Sequence, residues 1–263
     1  MSHAFTSIAT FSEAIARTIE KYQIDSGDMF ASLGMDREPY RDPDARIPVA
    51  NMVQVWTEAE RLTGNPCFGF EVGMGLHPTN FHTVGYAWLG SASIREALER
   101  LVRYQRLLST AAEMSFEDVG GCAEYRLHPK ELVQMGVDAA MSSVVQICRG
   151  VSHEDFRPSE VTMTRSAPPC VRELADFFAC EVEYDAPGNV LKISDERLEE
   201  PRPRTNPAMV QASEELAAQY IARMDKNDVV TRARVLLISQ LPDGEPSRKT
   251  LAEGLHLSER TLA

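Results

Sequence analysis

The sequence predicts an α+β protein: a helix-rich N-terminal domain with a small antiparallel sheet, followed by an all-α domain holding the opening of a helix-turn-helix. Three observations carry that reading. Apolar residues recur at three- and four-residue steps in several stretches, as helices with one buried face require. Short strand-like segments flanked by glycine turns interrupt them. The last seventeen residues, Ser247 to Ala263, pass from one short helical pattern through a turn into a second, freshly capped one.

In chain order, Ile8, Phe11, Ile15, Ile19 and Tyr22 mark a first amphipathic helix. A short apolar piece, Met29 to Leu33, ends at Gly34, and Asp42-Pro43-Asp44 makes a turn. Ile47-Pro48 opens a second helix carrying Val49, Met52, Val53, Trp56 and Ala59, which Gly64-Asn65-Pro66 stops. Phe68 to Gly75 is read as helical. Ser93-Ile94-Arg95-Glu96 is a capping box, with Ile94, Ala97, Leu98, Leu101, Val102, Gln105 and Leu108 on one face behind it.

Met114–Asp118 and Cys122–Leu127 flank Val119-Gly120-Gly121 as a hairpin. Val137 to Val151 is helical, Glu160 to Thr164 strand-like, and Pro168-Pro169 starts a helix through Phe178. Val182–Tyr184 and Val190–Ile193 are expected to pair across Pro187-Gly188-Asn189. The proline-rich, charged stretch from Leu198 to Pro207 reads as a linker. Two helices follow, Met209–Met224 and Val229–Gln240, and then a Pro242-Asp243-Gly244 turn.

Composition narrows the function classes. With 43% hydrophobic and 25% charged residues in 263, the chain has the balance of a globular protein. No apolar run approaches the roughly 18 residues of a membrane span, and the Met-Ser-His-Ala start lacks a signal-peptide pattern, so a cytoplasmic protein without a membrane partner is expected. The net charge is −12, but residues 226–263 hold six Lys/Arg and five Asp/Glu, net +1, leaving −13 on the first 225. Phosphate neutralisation needs basic faces, so the tail is the one plausible nucleic-acid contact. The five cysteines, Cys67, Cys122, Cys148, Cys170 and Cys180, are odd in number and irregularly spaced, which fits reduced core thiols better than a disulfide frame or zinc site.

In the tail, Leu251 and Ala252 fall on the inner face of a short helix, Gly254-Leu255-His256-Leu257 interrupts it, and Ser258 caps a new helix through Leu262. Two helices crossing steeply over such a turn are the unit that places a second helix in the major groove of DNA.

These features resemble the AraC/XylS family of bacterial transcription regulators. More narrowly, they resemble the branch with an arabinose-binding-type N-terminal domain, which includes ornithine-utilisation and virulence regulators. The matching segments run from Asp42 to Pro48, Arg61 to Pro66, Val84 to Ala87, Ile94 to Leu98 and Tyr104 to Leu108, then from Leu241 to Ser247 and Leu255 to Leu262. The resemblance implies an effector-sensing and dimerising domain over 1–200, a linker with a helix over 201–228, and the start of the DNA-binding domain over 229–263. It also implies a chain that breaks off within the first of the family's two helix-turn-helix units, and therefore weak DNA binding by this chain alone. At the tight turn, where the family usually has glycine, this sequence has His256, which tolerates positive φ better than β-branched residues do.

The resemblance further implies promoter DNA and a small-molecule effector as partners, a homodimer, and contact with RNA polymerase. Arg260, early in the recognition helix, is the candidate base contact, since arginine pairs bidentately with guanine. Ser258 reads either as a cap alone or as a cap that also meets a phosphate. Arg248 and Lys249 read as phosphate contacts or as solvated charges. For the effector, Tyr86, Trp88, Arg103, Tyr104 and Arg106 would suit an apolar body with a carboxylate, a fatty acid for example. The competing reading makes the aromatics core and the arginines surface. A ligand-independent dimerisation module is the alternative function.

No catalytic constellation, metal site or cofactor motif is expected. There is no GxSxG, glycine-rich phosphate loop or Cys-His signature, and the His77…His82 spacing across Pro78 does not share a helix face. His128 and His153 stand alone in the sequence.

Overall fold

Side-chain caps start only a few of the described helices, among them those at Asp25 and Ser93. The computed structural model describes residues 5–42, 44–152, 156–202, 205–240, 247–255 and 257–258, with side chains up to 224 along the longest helix. Pro43, His153, the Pro242-Asp243-Gly244 turn, His256 and the helix expected from Glu259 lie outside the described residues. The chain divides into two compact units, Met1–Glu215 and Leu216–Ala263.

In the first unit, strand β1 (Thr6–Ile8) pairs antiparallel with β2 (Arg46–Pro48), and each runs directly into a helix: α1 (Thr10–Glu20) and α3 (Val49–Thr63). Helix α2 (Ser26–Ser32) lies between them, its Asp25 side chain accepting from Asp28 N. Gly64 ends α3 in the left-handed conformation at φ 61°. That is the conformation glycine adopts without a Cβ penalty. Helix α4 (Phe68–Met74) follows, then a 3₁₀ turn, Pro78–Phe81, and α5 (His82–Gly90), a helix that the sequence patterning did not distinguish.

Half of the predicted capping box opens α6 (Ile94–Arg103), with Ser93 Oγ accepting from Glu96 N at 3.2 Å. Glu96 reaches Ala92 N rather than the Ser93 amide. The face expected to run on to Leu108 breaks at Tyr104, and α7 (Gln105–Leu108) is a separate turn. Next come the hairpin β3 (Ala112–Asp118) and β4 (Cys122–Pro129), α8 (Gln134–Arg149), β5 (Glu160–Thr162), α9 (Val171–Phe178), β6 (Val182–Glu183), β7 (Asn189–Ser194) and α10 (Asp195–Leu198).

The five-stranded sheet has the order β3-β4-β7-β5-β6. The β3–β4 hairpin turns through Gly120 and Gly121 at φ 52° and 85°, as expected from the sequence. The expected hairpin of 182–184 with 190–193 does not form. Strand β7 gives one edge to β4 and the other to β5, while β6 pairs parallel to β5 after the α9 crossover. Both edges of β7 are therefore taken, and Asn189, buried in it, accepts from Thr164 N at 3.0 Å. Alternation then buries Ala123, Tyr125 and Leu127 of β4 beside Leu191 and Ile193 of β7.

Helices α4 and α8 pack closely because α4 presents glycine. A Cβ on Gly69 would run into the Met135 carbonyl, and one on Gly73 into the Ala139 carbonyl and Ser142 Oγ. The glycines of this segment thus serve the helix contact rather than break the helix.

The cysteines also depart from the pattern expected of reduced thiols. Cys67, at the start of α4, and Cys170, at the start of α9, are joined by a disulfide across 103 residues, with Cα atoms 6.5 Å apart. Their spacing in sequence carries no trace of this, since only the tertiary fold juxtaposes the two helix starts. Cys148 is a buried free thiol, as expected, and Cys122 and Cys180 are half-buried.

The stretch read as a linker is held down at both ends of its described part. Arg202 donates to the carbonyls of Trp88 (2.6 Å), Leu89 (3.1 Å) and Val151 (3.3 Å), and Asn206 N donates to Gly90 O (3.0 Å). The two helices expected over 209–240 form one, α11 (Pro207–Gln240), because no glycine or proline interrupts the backbone between Ala208 and Gln240. In the second unit, α12 (Arg248–Leu255) buries Ala252 and Leu255, and Ser247 Oγ accepts from Thr250 N at 3.1 Å. Among the described residues no helix is long and apolar enough to cross a membrane.

Candidate functional site

A partly open, largely apolar pocket lies within the first unit, where α1, α3, α4 and α8 meet the β3–β4 hairpin. Its volume is about 80 Å³, and Phe11, Trp56, Leu101, Met114, Tyr125 and Val144 are among its walls. None of the described wall residues is charged. Its polar groups are few. Ser7 Oγ and Ser109 Oγ bond one another at 2.9 Å, and Ser143 Oγ donates to Ala140 O at 2.8 Å.

Tyr125 differs from these serines. It is fully buried, and its hydroxyl has no hydrogen-bond partner among the described residues. Burial, with the Cys148 thiol nearby, pushes its pKa far above that of a free phenol, so it stays a neutral donor and acceptor. A buried hydroxyl left unpaired is destabilising, and natural interiors pair such groups almost always. The signal for it in the sequence was the alternation of β4, which turns Tyr125 to the same side as Ala123 and Leu127.

Beside the cavity, Asp138 of α8 is fully buried, takes an ion pair from Arg165 and accepts from Gln134 Nε2 at 2.9 Å. Burial is the larger influence and raises its pKa to about 6, against the pull of Gln134 and Arg165. The Arg165 guanidinium also lies over the Phe70 ring at 5.5 Å.

The five residues suggested for the effector are placed as follows. Tyr86 and Trp88 are two apart on α5, hence on nearly opposite faces: Tyr86 is 46% exposed and Trp88 1%. The Trp88 indole N–H has no partner among the described residues. Arg103 is exposed at the end of α6, 3.5 Å from Glu214, and Tyr104 is half-buried at the α6–α7 junction. Arg106 is exposed on α7, its carbonyl accepting from Arg46 at 3.4 Å. None of the five lines the cavity. His82, of the histidine pair, bonds Asp44 Oδ1 at 2.7 Å.

In the second unit, Arg248 and Lys249 are exposed in the first turn of α12 and Ser258 is exposed beyond it. Arg260 lies outside the described residues.

Residues 24–202, which include α2 to α10 and most of the cavity wall, match a family model described as the arabinose-binding domain of AraC transcription regulators, N-terminal. The chain belongs to the AraC transcription regulators. Over 257 residues this AraC-type chain is 28% identical to an ornithine utilization regulator of Pseudomonas aeruginosa, covering 96% of this chain and 76% of the relative. It shares the fold of a crystal structure of the transcriptional regulator CdpR from Pseudomonas aeruginosa, with a TM-score of 0.56 at 16% identity, covering 96% of this chain and 77% of that one. In this AraC regulator the disulfide, the Asp138–Arg165 pair and Tyr125 all fall within the matched domain.

Proposed function

We propose that this AraC-type regulator senses a small molecule with its N-terminal domain and so controls how its C-terminal domain engages promoter DNA. The observation that carries the reading is the largely apolar pocket inside the domain that matches the family. Pockets that bind small molecules are largely apolar with a few placed polar groups, as here. The chain acts by binding rather than catalysis: an effector favours one arrangement of the regulator over another by as much as it binds the two differently.

On this reading the protein works in the cytoplasm as a homodimer, with RNA polymerase as a further partner. Arg260 reads a base edge, Ser258 caps its helix and meets a phosphate, and Arg248 and Lys249 neutralise phosphates. A carboxylate or fatty-acid effector has its apolar part supported by the cavity. Its charge would have to be met by the surface arginines, Arg103 and Arg106 among them.

The test is a thermal-melt screen against amino acids including ornithine, amines, sugars and fatty acids. A ligand at 100 times its Kd adds about 2.7 kcal/mol, a shift of several degrees. A saturable shift supports a sensor. A flat screen, with native mass spectrometry finding no carried-over ligand, would favour a ligand-independent dimerisation module.

A further inference from the structure

The Cys67–Cys170 disulfide joins two segments that the fold also holds without it. Cys170 ends the loop that leaves β5. Arg165 in that loop pairs with Asp138 of α8 and lies over the Phe70 ring of α4. Nearby, Thr164 N donates to Asn189 Oδ1 and Ser166 Oγ to Asp185 Oδ1 at 2.6 Å. At the far end of α9, Arg149 of α8 donates to the Phe177 carbonyl. These contacts give the dithiol form a folded state to occupy, which a reversible bond requires. Access to the two sulfurs is uneven: Cys170 is half-buried, and Cys67 is 7% exposed. A disulfide with one reachable sulfur is open to attack by a small thiol, and exposed bonds are the labile ones. The other thiols compete poorly. Burial pushes those of Cys148 and Cys180 up, away from the reactive thiolate, and Cys122 Sγ donates to Val119 O at 2.9 Å.

We infer that Cys67 and Cys170 form a reversible redox site, which glutathione opens to two thiols and hydrogen peroxide closes. Disulfides in thiol-rich compartments are usually transient or redox-sensing. In closing, the Cys170 thiolate attacks one peroxide oxygen, giving a sulfenic acid and hydroxide. The Cys67 thiolate then attacks that sulfur, the S–S bond forms and a second hydroxide leaves. With the two thiol protons the products are the disulfide and two waters. In opening, a glutathione thiolate attacks Cys170 Sγ and releases Cys67. A second glutathione frees Cys170 and leaves as glutathione disulfide. What the bond controls is α4. That helix packs on the α8 backbone through Gly69 and Gly73 with no room to spare, and Val72 on it stands in the pocket wall. Reduction frees the start of α4 from the start of α9, so the redox state sets how firmly this wall is held. This input is separate from effector sensing, and the cytoplasmic reading above supplies only its reductant.

The experiment holds the full chain in glutathione disulfide or in excess reduced glutathione, and counts its thiols by alkylation and mass spectrometry. Hydrogen exchange is followed in both states. The expected result is loss of the disulfide in reduced glutathione and its return with one equivalent of hydrogen peroxide. Amides of 68–76 and 164–178 should exchange at least about tenfold faster in the dithiol form, while those of α6 keep their rates. Cys170→Ser should exchange like the dithiol form in either buffer, and Cys180→Ser should switch as the parent does.

A disulfide that survives excess reduced glutathione overturns the inference. So do thiols that peroxide does not join, exchange rates that match in the two states, and a dithiol form that is unfolded throughout. Should Cys170→Ser not fold, the parent's own two states still decide. A failed switch leaves effector sensing intact, and a flat ligand screen leaves the switch intact, so the two readings fall separately.

Discussion

Removing the Tyr125 hydroxyl should make the ligand-free protein more stable. Tyr125→Phe keeps the ring in its place between Phe116 of β3 and Leu191 of β7 and deletes only an oxygen that has no partner among the described residues. An unpaired buried hydroxyl costs about 1–3 kcal/mol relative to water. The opposing effect is the space left by the oxygen. At about 24 cal/mol per Å³ and roughly 10–15 Å³, it amounts to some 0.3 kcal/mol. Relief of the unpaired group therefore dominates, with a net gain of about 1–2 kcal/mol. For a unit of this size each kcal/mol moves the melting temperature by about 2–4 °C, so a rise of several degrees is expected in calorimetry on protein freed of small molecules. A fall of several degrees would refute the reasoning, because it would mean the hydroxyl is hydrogen-bonded in the native state.

Other expectations follow from single contacts. Cys67→Ser opens a 103-residue loop and should cost about 2–4 kcal/mol, read from the urea midpoint, with thiol titration of the parent finding three free thiols under non-reducing conditions. Gly73→Ala drives a Cβ into the α8 backbone and should cost at least about 1–3 kcal/mol. Gly136→Ala, whose Cβ meets only ordinary contacts with Trp56 and Leu132, should be neutral or stabilising by about 0.5–1 kcal/mol in the same assay. Asp138 holds its proton in the folded chain up to about pH 6, whereas an unfolded aspartate releases it near 3.9. The folded state thus binds more protons in between, and this residue's contribution is full below about pH 4 and lost as the pH rises to 6. Asp138→Asn should flatten the melting temperature across that window; an unchanged pH slope would show that Asp138 is already ionised there.

What the sequence determined by itself is the part of this protein that local forces settle. The N-cap at Ser93, the stop at Gly64 and the glycine turn of the β3–β4 hairpin depend on hydrogen bonds and φ preferences within four residues, and each appears where the pattern put it. The same holds for the buried faces of α1, α3 and α8, which follow helical periodicity. The resemblance to AraC regulators was likewise legible, because it resides in short runs such as Ile94 to Leu98.

What only the tertiary structure decided depends on competition between distant segments. Val182–Glu183 had a glycine turn and a neighbouring strand to pair with, yet β5 took that edge of β7, an outcome no local signal ranks. Helix α5 was missed because its apolar residues encircle it, as in a helix buried on most sides, rather than forming one stripe. The cysteine pair was missed because a disulfide needs two Cα atoms within bonding reach, and that reach was set by where α4 and α9 begin in space. Tyr125 is the clearest case. The β period turned its side chain inward, but whether a buried hydroxyl finds a partner is a matter of what the tertiary fold packs around it, here including Cys148 of α8.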